Sequence, residues 1–410
     1  MTPTLVHEVE LSAPLSDVPT DRETARVLVR LHGTPLGFVD VPVRDGLLAA
    51  ADLAAAVEEH LDLAAHLDLD GIASPTAAGG PWACAASGPE PLPASLSVVL
   101  CTRDREESLR TALTSVLAAA RPQDEVVVVD NAPRTDATRT VVEQLADPRL
   151  RYLLEPRPGL SIARNTGARA ARGDVIAFTD DDVVVDQRWL EGLLRGFTRA
   201  RAVGCVTGLV PSAELDTESQ HFFDKKVQWS STCTPRLFDL DRHVGPGPLY
   251  PYSAGVFGTG ANFAVSRAAF EALGGFDEAL GAGALTRGGE DLDWFVRTLT
   301  HGFVLAYEPA AVVWHRHRRD LESLRDQLYG YGTGLTAYLV KHALTRRGFV
   351  DISRRLGKGA VMMGRANKAS VDAGLDKALL RRELVGMLHG PFLYARARRR
   401  LRRTTGPDQA

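Results

Sequence analysis

The sequence predicts an α/β protein: a mixed sheet built from βαβ units, preceded by a small α+β unit and followed by a helical extension. Three observations carry that prediction. From Leu96 onward, short apolar runs alternate with amphipathic stretches, as in parallel strands joined by helices. Three consecutive carboxylates, Asp180, Asp181 and Asp182, follow the apolar segment Val175-Ile176-Ala177-Phe178, where a buried strand should end. The net charge of -3 is unevenly divided: Lys341 to Arg403 hold 17 Lys or Arg against 4 Asp or Glu, which sets off a basic C-terminal region.

In chain order, residues 1–67 read as the small α+β unit. Arg26 to His32 and Gly37 to Val43 alternate like two strands joined through Gly33-Thr34-Pro35, and Leu48, Leu53, Val57 and Leu61 recur at near-helical spacing. Residues 68–94, rich in Gly, Pro and Ala without periodicity, read as a linker. The main α/β unit is expected over 95–320. Its strands are Val98 to Leu100, Val126 to Val129 (closed by Asp130), Tyr152 to Leu154 and Val175 to Phe178. Between them come a helix with Leu109, Leu113, Val116 and Leu117 on one face, a helix near Thr138 to Leu145, and one from Ser161 to Ala171. Ser161 is the expected cap of that last helix and Gly173 its stop. Parallel strands so connected put Thr102, Asp130 and Asp180 to Asp182 at ends of like polarity, where they can converge on one ligand. Residues 321–410 read as basic helices with Leu321, Leu324, Leu328, Leu379, Leu380, Leu384 and Leu388 as apolar positions.

Composition narrows the class. A chain of 410 residues with 45% hydrophobic content can bury one large core and a smaller second one. No apolar stretch approaches the roughly 18 residues of a spanning helix. The start of the chain, Met1 to Glu8, lacks a basic segment followed by an apolar one, so a cytoplasmic protein is expected. Cys84, Cys101, Cys205 and Cys233 are widely spaced and read as reduced structural thiols. Cation-rich helices beside apolar positions read in two ways, as a solvated basic terminus or as a peripheral contact with anionic lipid at the inner face of the membrane.

Adjacent acids resist ionising together unless a cation lies between them. At the carboxyl end of a strand, the run Asp180 to Asp182 therefore suggests a divalent metal holding a phosphorylated ligand; taken alone, it also reads as an acidic turn. Other patterns fall away. Gly258-Thr259-Gly260-Ala261-Asn262-Phe263 lacks the third glycine of a dinucleotide fingerprint, and neither a Walker A sequence nor a nucleophile elbow is present.

What remains is an ordered series: Val98 to Arg105, Val128-Val129-Asp130-Asn131, Arg157 to Asn165, Thr179 to Asp182, Gly258 to Asn262, Gly288 to Asp293, and Trp314-His315. Together these resemble the family-two inverting glycosyltransferases of the GT-A fold, in their non-processive bacterial form. The resemblance spans Ser95 to Leu339. It implies a nucleotide diphosphate sugar donor, with a UDP-sugar the first expectation, and Mn²⁺ or Mg²⁺ as cofactor. By that resemblance Thr102 and Arg103 line the nucleotide pocket with Arg164, Asn165 and Asp181 beside them, and Asp130 hydrogen-bonds the base or ribose. Asp180 faces the ribose and joins Asp182 and His315 as a metal ligand, with His317 the second choice of histidine. Glu290 and Asp291 match the catalytic pair, Asp291 being the general base; Glu290 orients the acceptor and Asp293 is structural, an assignment that stays open among the three.

The Gln-x-x-Arg-Trp signature of processive synthases is absent: the region reads Gln327-Leu328-Tyr329-Gly330-Tyr331, so transfer of a single sugar is expected. The acceptor is expected near Gly258 to Asn262, with Trp294 in the core. Two other readings compete. A sugar-phosphate nucleotidyltransferase would carry a Gly-rich loop where Cys101-Thr102-Arg103-Asp104 stands, and a non-catalytic nucleotide-sugar-binding or membrane-docked scaffold would have no use for Asp291. No nucleic acid partner is expected.

Overall fold

A computed structural model describes residues 2–61, 95–227, 231–253, 255–372 and 377–404. The predicted linker and Cys84 lie outside the described residues.

The N-terminal unit contains β1 (Thr4–Glu10), β2 (Val18–Pro19), β3 (Thr24–Leu31), β4 (Thr34–Pro42), β5 (Leu47–Leu48) and α1 (Ala50–His60). β3 pairs in parallel with β1 and antiparallel with β4. The reversal lies at His32 and Gly33, with φ 52 and 77. Thr34 and Pro35, expected in the turn, are already in β4 opposite Leu31 and Arg30. A two-residue hairpin loop with both residues left-handed matches the twist of its strands. Here the Glu10 carboxylate fixes it, accepting from the His32 and Gly33 N–H groups at 2.8 and 2.7 Å. α1 starts after Leu48, which belongs to β5, and ends before Leu61; Leu53 and Val57 are its buried positions.

The main sheet uses β6 (Leu96–Thr102), β7 (Glu125–Asn131), β8 (Leu150–Glu155), β9 (Val175–Thr179), β10 (Val183–Val185), β11 (Val203–Leu209), β12 (Arg236–Phe238), β13 (Asn262–Ser266) and β14 (Val304–His315). Its order is β10-β14-β11-β13-β9-β6-β7-β8, with β12 also on β14. β6 to β9 are parallel, as their sequence grammar requires. β13 is antiparallel to both β9 and β11, and β14 is parallel to β11. Two antiparallel steps restore direction, so β14 ends on the same sheet edge as β6 and β9.

The helices are α2 (Glu106–Ala119), α3 (Ala137–Leu145), α4 (Leu160–Ala170), α5 (Trp189–Thr198), α6 (Glu218–Lys226), α7 (Arg267–Leu273), α8 (Glu290–Thr300), α9 (Leu321–Ala343), α10 (Arg346–Asp372) and α11 (Lys377–Thr404). Strand alternation divides the core. Val98 and Leu100 pack with α2 and α5 on one face, and Val99 and Cys101 with α4, Phe178, Phe263 and Trp294 on the other. α4 departs from expectation at both ends. It starts behind Gly159 at φ 140. The Ser161 hydroxyl donates to the Leu280 carbonyl (2.7 Å) and does not cap the helix. It ends at Ala170, before Gly173, whose N–H donates to Ser97 Oγ.

Leu28 of the N-terminal unit packs on Leu209 and Val312, and Arg30 pairs with Asp186 at 2.9 Å. At the other end of the chain, α9 and α11 pack through glycines. A Cβ on Gly332, Gly386 or Gly390 would collide with backbone of the partner helix. α9 also presses on the turn before α8: a Cβ on Gly334 would lie 2.6 Å from the Gly288 carbonyl carbon. The predicted apolar set of α11 divides between two faces, Leu379 and Leu380 being buried, Leu384 and Leu388 exposed. No helix among the described residues is long and apolar enough to cross a membrane.

Candidate active site

The carboxyl ends of β6, β9 and β14 meet at one cavity of about 640 Å³. Its wall includes Thr102, Arg103, Arg164, Asp180, Asp181, Asp182, Glu290, Asp291 and His315, so most of the predicted residues are brought together. After β9 the three acids turn the chain into β10, whose Val183 pairs in register with His315. That pairing sets Asp182 beside the imidazole, with Oδ1 3.3 Å from His315 Nε2. Asp180, Asp182 and His315 each offer a ligand atom within 4.8 Å of the others. Two carboxylate oxygens and an imidazole nitrogen suit Mn²⁺ or Mg²⁺.

Cations brace these acids from several elements. Arg105 Nη1 lies 3.0 Å from Asp181 Oδ1 and 3.3 Å from Asp182 Oδ2, and Arg318 approaches Asp182 at 3.7 Å. Thr102 Oγ1 donates to Asp181 Oδ2 at 2.7 Å. Arg164 on α4, 2% exposed, reaches Glu290 Oε1 (3.0 Å), Asp180 Oδ1 (3.3 Å) and the Gly260 carbonyl (2.9 Å). It ties the Asp180 side of the cavity to α8. Gly289, in the left-handed region at φ 89, precedes α8, placing Glu290 and Asp291 in its first turn. There the helix dipole favours negative charge. Asp291 accepts from Gly260 N–H and Leu292 N–H, both at 2.8 Å.

Burial and charge pull the titrations apart. Burial pushes Glu290 up to about 7, aided by the Asp291 charge and opposed by Arg164. Burial likewise lifts Asp180 to about 6 against the pull of Arg164. Burial acts the same way on Asp182, but His315, Arg318 and Arg105 outweigh it and hold that carboxyl well below the usual range. His317 is pushed down to about 3 by burial and by the neighbouring His315. A neutral His317 Nδ1 3.0 Å from His315 Nδ1 can fix the ring that faces Asp182.

Two predicted residues are placed elsewhere. Asp130 is fully buried at the end of β7, accepting from the Tyr152 phenol (2.9 Å); its neighbour Asn131 reaches the cavity wall. Asn165 is turned away from the cavity: its amide clamps the Phe276 backbone, donating to the carbonyl (2.9 Å) and accepting from the N–H (2.7 Å). Helical periodicity turns Asn165 away while its neighbour Arg164 faces the cavity; Asp130, in register beside Thr102, is covered at its strand end. Trp294 is in the core, stacked on Phe270, and Asp293 is an internal ion-pair centre. The prediction left Arg105, Arg318, Gln327 and Tyr331 unassigned, although all four line the cavity. Gln327 and Tyr331 stand one turn apart on α9 and are hydrogen-bonded at 3.1 Å, a spacing visible in the sequence.

Comparison with known proteins gives this arrangement its class. Residues 97–274 match the glycosyl transferase family 2 model, and that segment, similar to a family 2 glycosyltransferase domain, supplies most of the mixed sheet. Among its relatives, the pre-mycofactocin glycosyltransferase of Mycobacterium tuberculosis is 29% identical over 60% of this chain and 48% of that protein. The validoxylamine A glucosyltransferase of Streptomyces hygroscopicus subsp. limoneus is 31% identical over 50% of this chain and 48% of that protein. The chain thus spans about half the length of these two curated relatives. A mannosyltransferase from Pyrobaculum calidifontis, solved with GDP-Man and Mn²⁺, superposes with a TM-score of 0.48 at 17% identity. That likeness covers 74% of this chain and 86% of the other, and is too distant to carry a functional argument. The matched family segment ends before Glu290, Asp291 and His315.

Proposed function

We propose that the protein moves one sugar from a nucleotide diphosphate sugar to an acceptor hydroxyl with inversion, using Mn²⁺ or Mg²⁺ on Asp180, Asp182 and His315 and Asp291 as general base. One juxtaposition supports the reading: the three-donor cluster and the Asp291 carboxylate share the wall of a single cavity. Bound there, the divalent cation supplies positive charge against the departing diphosphate. Thr102 and Arg103 are the nucleotide contacts, with a UDP-sugar the first donor to try. Arg105 and Thr102 hold Asp181 in place. Asp291 takes the proton of the acceptor hydroxyl as it attacks the anomeric carbon. Its two backbone N–H bonds fix the carboxylate plane, and each oxygen keeps a further lone pair for that proton. Glu290, held by Arg164 and largely buried, orients the site and is a poorer candidate for the base. The reading includes work at the inner face of the membrane, with the basic C-terminal region meeting anionic lipid.

Release of nucleotide diphosphate from a panel of nucleotide sugars with Mn²⁺ tests the transfer. Thermal stabilisation by UDP and Mn²⁺ should disappear in Asp182→Asn. Stabilisation that ignores Asp182→Asn, or a donor bound without turnover on any acceptor, would favour the non-catalytic binder instead.

A further inference from the structure

The exposed face of α11 combines two features that charge alone does not explain. Leu384, Leu388 and Phe392, one turn apart, are 38%, 72% and 77% exposed. Arg381 precedes them on the same stripe, and Arg396 and Arg399 continue it at four- and three-residue steps. The helix cannot roll these side chains inward. Its opposite face carries Gly386 and Gly390, and α9 approaches their Cα atoms so closely that a Cβ on either would strike Tyr329, Thr333 or Thr336. A fixed helix therefore holds an apolar strip in water between two sets of cations, an arrangement that marks an interaction surface.

We propose that this face lies in the plane of an anionic bilayer, with Leu384, Leu388 and Phe392 below the phosphate level and the flanking arginines among the headgroups. The charge pattern selects the occupant. α11 holds nine Lys or Arg between 377 and 403, and its one acid, Glu383, is turned into the protein and paired with Lys226 at 2.6 Å. A second copy docked on this face, in either direction, would set arginine against arginine. A bilayer offers the two things the stripe lacks: acyl chains for the leucines and phenylalanine, and negative headgroups for the cations. Helices of this kind lie about 5–10 Å deep at the acyl boundary. The inference rests on the membrane contact within the proposed function and is independent of sugar transfer.

The test is co-sedimentation of the full chain with vesicles of phosphatidylcholine and phosphatidylglycerol in equal parts, against phosphatidylcholine alone. Wild type should partition to the mixed vesicles only. Leu388→Asp with Phe392→Asp should bind them at least tenfold more weakly, with unchanged helix content by circular dichroism and unchanged stabilisation by UDP and Mn²⁺. Wild type that fails to bind mixed vesicles overturns the proposal. So does a double variant that binds like wild type, because the contact is then purely electrostatic. A third overturning result is a lipid-free dimer that the double variant abolishes, since the stripe is then a self-interface. Donor stabilisation is read separately, so loss of the transferase reading leaves the vesicle result interpretable.

Discussion

Two clusters of buried carboxylate sit at opposite ends of one short stretch of α8, and they are balanced in opposite ways. Asp293, with no exposure, meets Arg297 and Lys341 at 2.8 Å and His342 at 3.2 Å. Lys341 and Arg297 more than offset its burial, so its carboxyl is held well below the ordinary range. Two residues earlier, the cavity gathers Asp180, Asp181, Asp182, Glu290 and Asp291 around Arg105, Arg164 and Arg318. There burial outweighs the pull of Arg164, and Glu290 and Asp180 rise to about 7 and about 6. A carboxylate whose cations outweigh its burial is complete and structural. Carboxylates that burial lifts, beside a three-donor group, can take a divalent ion, and that sets the cavity apart from the Asp293 cluster.

The contrast can be broken most sharply at Asp291. Asp291→Asn should reduce turnover by roughly 10² to 10⁴ while UDP and Mn²⁺ still stabilise the protein; near wild-type turnover removes Asp291 as the base. At the structural cluster, Asp293→Asn leaves Lys341 and Arg297 without their common partner. It should cost roughly 3–5 kcal/mol in urea unfolding, with Mn²⁺ affinity unchanged in the folded fraction. His315→Ala removes one of three donors and should weaken Mn²⁺ by about tenfold or more in a calorimetric titration, against no change for His301→Ala on the surface.

The finest distinction is in pH. Glu290 is raised from an ordinary value near 4.5 to about 7, so the folded state holds its proton longer than the unfolded chain. Metal-free stability should therefore fall as pH rises from about 4.5 to about 7, and Glu290→Gln should flatten that fall. Asp293 has the opposite sign: its contribution is complete above the unfolded carboxylate range and is lost as pH drops through its depressed value. Equal slopes in wild type and Glu290→Gln between those limits would erase the difference.

Much of the scaffold was legible because periodicity encodes it. The parallel strands β6, β7, β8 and β9 and the acids after β9 follow from apolar runs and their ends. The neighbourhood of Asp182 and His315 does not follow from any local pattern, since 132 residues separate them in sequence and only the β10–β14 register joins them. Resemblance supplied that histidine. Asn165 lay beyond local reasoning for a different cause: the motif fixes the segment, but helix phase decides which side chain faces the cavity, and there it is Arg164. Phase also divides α11, because Leu379 and Leu384 are five positions apart and so point about 140° from each other. Arg105 and Arg318 became visible only through their distances to Asp182.

The glycine contact between α9 and the turn before α8 has a bearing on how the chain can be cut. Gly334 meets Gly288 and Gly289 backbone to backbone, with no side chain between to yield. A protein stopped at residue 320, where the basic composition begins to take over, would strip the cover from the very peptide groups that start the Glu290–Asp291 helix. Truncation there should be felt first as a loosened turn at Gly288 and Gly289, long before the sheet itself gives way.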